Sequence, residues 1–132
     1  MSKITRGDPT GLKNVRANVY HHFIRVDDPK SLIFLSGQLS RDADGKLVGR
    51  GDMAEQTRQA IRNMRTVLEA AGGTLEDIVS IVVYTTDMRT FKDIVEARTE
   101  FFTTKLPTST IVEVNHLADP GLLIEFQAIA AL

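Results

Sequence analysis

The sequence predicts an α+β chain in the order β-β-α-β-α-β-β, with one mixed sheet carrying two helices on one face. Three observations predict it: a capped, amphipathic helix pattern over 52–71, a second helical pattern over 91–103, and a nearly continuous β-branched run from Ile78 to Tyr84. Two helices laid on one sheet are the economical way to bury their apolar faces.

The first helix has the clearest signal. Asp52 and Glu55 form a D-x-x-E pattern that can satisfy free N–H groups at a helix start. Ala60, Ile61, Met64, Val67, Leu68 and Ala71 then recur at helical spacing. Gly72-Gly73 provides the stop, because glycine tolerates the left-handed C-cap. In the second helix, Thr90 and Asp93 form a capping pattern. Phe91, Ile94, Val95, Arg98, Phe101 and Phe102 follow at helical spacing, and Lys105-Leu106-Pro107 ends the segment. The run from Ile78 to Tyr84 has the composition of a strand covered on both faces.

The remaining elements follow from breakers. Residues 1–14 read as a flexible polar lead-in with Gly7, Pro9 and Gly11, and 15–132 as one domain. Residues 16–26 read as a strand, 27–30 as a turn and 31–37 as a second strand, together a hairpin. Residues 41–51 form a loop with a tight turn at Asp44-Gly45. Thr110–Val114 is a strand, 118–121 a turn and Leu122–Ala130 the final strand. Ile81, Val83, Ile111 and Phe126 are too many for one pair of helices, so both sheet faces are expected to be apolar. That implies a closed symmetric assembly.

Composition narrows the function. The chain has 132 residues and no cysteine, so it has no disulfide, thiolate nucleophile or sulfur-ligated metal. With 16 basic and 17 acidic residues and no basic run, it lacks the mark of a nucleic-acid partner. No segment approaches the ~20 apolar residues of a membrane span, and no apolar leader opens the chain, so a cytoplasmic protein without a membrane partner is expected. His21 and His22 are adjacent in the expected strand and point to opposite faces, which defeats a two-histidine metal site. His116 has no companion at metal-binding spacing. Gly45, Gly49 and Gly51 lack the context of a nucleotide loop. No metal and no cofactor is expected.

Several segments, in order, carry a resemblance. They are Leu32 to Gln38, Gln56-Thr57 with Asn63, Ala70-Ala71-Gly72, Leu75 to Val79, and Asp87-Met88 with Phe91. Phe101-Phe102, Pro107, Val112-Glu113-Val114, Leu117 and Ile124 to Ala130 complete the set. Over most of its length the chain resembles the Rid/YjgF family, the endoribonuclease L-PSP-like proteins. The resemblance implies a chorismate-mutase-like fold assembled as a homotrimer with ligand clefts between subunits. It also implies hydrolysis of reactive enamines or imines to ammonia and a keto acid. Other members bind small metabolites without turnover, and the family label adds ribonuclease or translation inhibition, which the balanced charge argues against.

One departure matters most. The archetypal deaminases carry an arginine two positions after the proline, where its guanidinium grips the substrate carboxylate. Here the stretch is Pro107-Thr108-Ser109-Thr110, and Ser109 stands in the arginine's place. Losing a hydrogen bond to a charged group costs about 1.5–3 kcal/mol. Val95 aligns with an asparagine that faces the cleft in some archetypes, and the archetypal E-x-E reads Glu125-Phe126-Gln127.

The resemblance and the residue types together nominate Glu125 as the group that activates water, or else as an inter-subunit partner for Arg98 or Arg16. Tyr20, Ser36, Gly37, Val95, Ser109, Ile111 and Gln127 are nominated for substrate binding. Tyr20 can cover a planar substrate, and Gly37 can let a ligand approach the backbone. Arg98 has two readings, a structural ion pair and a replacement for the missing arginine from another direction. The expected ligand is a carboxylate or a planar unsaturated acid, and the expected protein partner is a second copy of the chain.

Overall fold

A computed structural model describes residues 3–132. The elements are β1 (Lys3–Gly7), β2 (Phe23–Asp27), β3 (Leu32–Leu39), α1 (Met53–Ala70), β4 (Ile78–Thr85), α2 (Phe91–Thr99), β5 (Thr108–Glu113) and β6 (Ile124–Ala131). The expected mixed sheet is present with four strands in the order β3-β6-β4-β5. β4 runs parallel to β5 and antiparallel to β6, and β3 runs antiparallel to β6.

Helix α1 forms as its sequence predicts. Asp52 accepts from the Glu55 amide at 3.0 Å, closing the helix start. At the other end Gly73 N–H reaches back to Leu68 O at 2.8 Å, with Gly72 at φ +88. That 6→1 bond with a left-handed glycine is a Schellman stop. Met53, Ala60, Ile61, Met64 and Leu68 are buried, so the apolar face lies on the sheet. Each such aliphatic side chain contributes about 1.5–3 kcal/mol by leaving water.

The N-terminal region departs from expectation. The lead-in contains β1, which pairs antiparallel with β2, from Lys3 against Asp27 to Gly7 against Phe23. β2 therefore pairs with β1 rather than in a hairpin with β3. Residues 16–22 are turns and irregular chain, so Tyr20, His21 and His22 are not on a strand. Two local facts favour this arrangement. A Cβ on Gly7 would stand 2.2 Å from the Phe23 ring, so only glycine lets that ring lie over β1. The chain after β2 also joins the last strand directly: β3 pairs with β6, and Lys30 N–H continues that ladder to Leu132 O at 2.7 Å.

Two further expectations are corrected. Helix α2 ends at Thr99 rather than 103, where Phe101 N–H turns back to Arg98 O at 3.0 Å in a tighter closing turn. Thr90 donates to Asp87 O instead of capping, and Asp87 caps the preceding 3-10 turn by accepting from Arg89 N–H. The apolar strand residues also divide differently. Ile81 sits opposite Ala128, Val83 opposite Phe126, and Ile111 opposite Val83, so all face the helices in one core. The second face is nonetheless apolar through other residues: Phe34 is 71% exposed, Leu32 51% and Val112 40%.

Candidate functional site

Register on β4, β5 and β6 sorts the nominated residues onto two faces. Ser109 lies beside Ile81 and Ile111 beside Val83, on the helix side. Gln127 lies beside Val82 and Glu125 beside Tyr84, on the open side. Strand alternation fixes both assignments.

On the helix side, Tyr20, Val95, Ser109 and Ile111 line one cavity of about 110 Å³ between α2 and β5. Arg98 completes its wall. Ile94 and Arg98 share one face of α2 by their i,i+4 spacing, and both are buried, Ile94 to 1% and Arg98 to 3% exposure. Arg98 Nη1 donates to Ser109 Oγ at 3.0 Å. Its Nε and Nη2 are enclosed and have no acceptor. Burial pushes its pKa down to about 10. Among the described residues of one chain, no carboxylate pairs with Arg98.

The charged residues on the cavity's lining are both arginines, set among apolar side chains. Arg16, also on its lining, places its guanidinium 4.6 Å from the centre of the Phe91 ring, a cation–π contact. No acidic residue lines the space. The free Nε–Nη2 edge of a guanidinium matches two oxygens of one carboxylate. The volume equals about four waters at liquid density, which suits a short acid with a small apolar body.

On the open side, Tyr84 Oη donates to Gln127 Oε1 at 3.1 Å. Glu125 lies over Gly37: a Cβ there would stand 2.0 Å from Glu125 Oε1. Gly37 therefore makes room for the Glu125 side chain. Ser36 lies beside it at the β3 bulge, between Leu35 and Gln38. No ion pair among the described residues of one chain involves Glu125.

The loop over 39–51 is fastened at both ends. Asn63 Nδ2 donates to Leu39 O and Arg41 O at 2.9 Å each, and Gln56 Nε2 donates to Gly49 O at 3.1 Å. Gln56 also donates to Gly121 O and accepts from Leu123 N–H. The amides of α1 thus hold two loops in place, a structural role for Gln56 and Asn63.

The family model described as endoribonuclease L-PSP matches residues 13–132. A RutC family protein of Pyrococcus horikoshii is 37% identical over 100 residues, covering 76% of this chain and 79% of that protein. Protein HMF1 of Saccharomyces cerevisiae is 35% identical over 112 residues, covering 85% and 83%. Among solved structures, the Rid protein YyfB from Yersinia pestis superposes with a TM-score of 0.89 at 27% identity, covering 98% of each chain. E. coli TdcF superposes with a TM-score of 0.71 at 31% identity, covering 80% and 84%. By sequence, by fold and by the extent of both matches, the chain belongs to the Rid/YjgF family of endoribonuclease L-PSP-like proteins.

Proposed function

We propose that the protein is a cofactor-free hydrolytic deaminase of a small enamine or imine that carries a carboxylate, releasing ammonia and a keto acid. The observation that carries this reading is Arg98, a buried guanidinium with two unsatisfied donors in a cavity without an acid. A buried charge without a partner is costly, and an anionic ligand removes that cost. Arg98 takes the carboxylate, Tyr20 and Phe91 flank the body of the substrate, and Ser109 holds the guanidinium in place. The relative TdcF was crystallised with bound serine, a compound of the same amino and carboxyl chemistry.

The open sheet face belongs to the same proposal. Its exposed Phe34, Leu32 and Val112 pack against neighbouring copies in a homotrimer. A neighbour's Glu125 and Gln127 then complete the cleft from across the interface. Imines generated in situ from neutral and acidic amino acids test the reading. Acceleration over solvent hydrolysis supports it, and none across the series sinks it.

A second reading is a metabolite-binding protein without turnover. It is favoured by the placement of Glu125 and the Arg98 cavity on opposite faces of one sheet. A carboxylic acid that stabilises the protein and is recovered unchanged distinguishes it from the first.

A further inference from the structure

The deaminase reading needs a group that moves protons near neutral pH, and neither Arg98 nor Arg16 can do so. The N-terminal segment supplies one. Asp8 follows β1 and sits beside the irregular chain at 20–22. Its Oδ1 accepts from His22 N–H at 2.8 Å and from Asn14 Nδ2 at 3.1 Å. Its Oδ2 lies 2.9 Å from His21 Nδ1. These bonds, the backbone one foremost, hold the Asp8 pKa down to about 2. An ionised carboxylate only accepts, so His21 Nδ1 must be the donor. Neutral His21 therefore keeps its lone pair on Nε2.

The ring is also held in position. His21 N–H donates to Pro107 O at 3.0 Å, which fixes the residue at the start of β5. His21 lines a groove of about 400 Å³ with Ser109 and Tyr20, both of which also line the Arg98 cavity. The same groove reaches Val82, the cross-strand neighbour of Gln127 on the open face. It thus adjoins both halves of the candidate site. The other titratable groups on its lining are Tyr20 and His22, and His22 Nε2 is enclosed without a partner. Of the neighbouring groups, Asp8 faces the ring from the end of β1, and Arg6 of β1 is directed to Leu106 O at 3.3 Å.

We propose that His21 is the proton-transfer residue of this site and that Asp8 is its positioning residue. The inference rests on the deaminase reading. As water oxygen bonds the imine carbon, the C=N π pair moves to nitrogen and a water proton passes to His21 Nε2. His21 then gives that proton to the nitrogen, forming a neutral carbinolamine. In collapse, the hydroxyl proton passes to Nε2, and Nε2 gives a proton to the amino nitrogen as the C–N pair leaves with it, releasing ammonia. The carbonyl forms and the imidazole returns to its starting state.

The test is the steady-state kinetics of imine hydrolysis by wild type, His21→Gln, His21→Ala and Asp8→Asn. A positioned acid–base group contributes about 100-fold or more. We expect His21→Gln to lower kcat by at least that factor with KM nearly unchanged. Added imidazole restores part of the rate to His21→Ala, an effect a purely structural histidine would not show. Asp8→Asn lowers kcat by about tenfold with KM nearly unchanged. An active wild type with His21→Gln within threefold of it, or no imidazole rescue, overturns the assignment alone. An inert wild type overturns the deaminase reading and this inference together.

Discussion

Arg98 Nη1 donates to Ser109 Oγ at 3.0 Å, across the gap between α2 and β5. Ser109, which the resemblance aligns with an arginine of the archetypal deaminases, thus orients a different arginine. The positive charge stays in the cavity, but it arrives from the helix instead of the strand.

Arg98→Met should make the unliganded protein more stable. The fall of the Arg98 pKa to about 10 corresponds to burial working against the charged form by on the order of 3 kcal/mol. Losing the bond to Ser109 offsets part of this. The expected net gain is about 1–2 kcal/mol, several degrees in Tm. A stability loss on thermal unfolding would mark Arg98 as a structural residue.

Ser109→Ala frees Nη1 and lets the guanidinium turn. Carboxylate binding should weaken about fivefold, and Tm should fall by a few degrees because Nη1 is left buried without an acceptor. Calorimetric titration with 2-oxobutanoate measures it, and unchanged affinity would remove Ser109 from the site.

Gly37→Ala forces a methyl to within 2.0 Å of Glu125 Oε1. The flexible Glu125 side chain must swing aside, at a cost of about 1 kcal/mol. Gly37→Ala/Glu125→Ala should recover most of that loss, and denaturant unfolding of the cycle reads the coupling. Additive losses would mean that the two residues do not compete for space.

Acid should loosen the N-terminal ribbon late. The Asp8 pKa is lowered to about 2, so its contribution is present above the ordinary carboxylate range and lost as pH falls through that value. Amide exchange in β1 and β2 should separate wild type from Asp8→Asn at neutral pH. The two should converge near pH 2. A constant difference down to that pH would contradict the assignment.

Much of the fold was legible in the sequence because local signals and tertiary packing agree. Asp52, the α1 apolar stripe and Gly72-Gly73 set a helix within a residue of its observed ends. The N-terminus was not legible: β2 has the same composition whether it pairs with β1 or β3, and the choice rests on Gly7 meeting the Phe23 ring. Tyr20, Val95, Ser109 and Ile111 do meet in one cavity. Arg98 remained open because its spacing puts it on the inner face of α2, while the absence of a partner there is a tertiary fact. The Asp8–His21 contact joins residues 13 apart through an irregular segment, where no periodicity signals it.

The central claim is that the α2–β5 cavity holds a small carboxylate on Arg98. Calorimetric titration of 2-oxobutanoate and of its neutral amide, into wild type and Arg98→Met, tests it most directly. The account predicts that wild type binds the acid at least tenfold more tightly than the amide, and that Arg98→Met abolishes the difference. Equal binding of acid and amide by the wild type, or an undiminished preference for the acid in Arg98→Met, would contradict it.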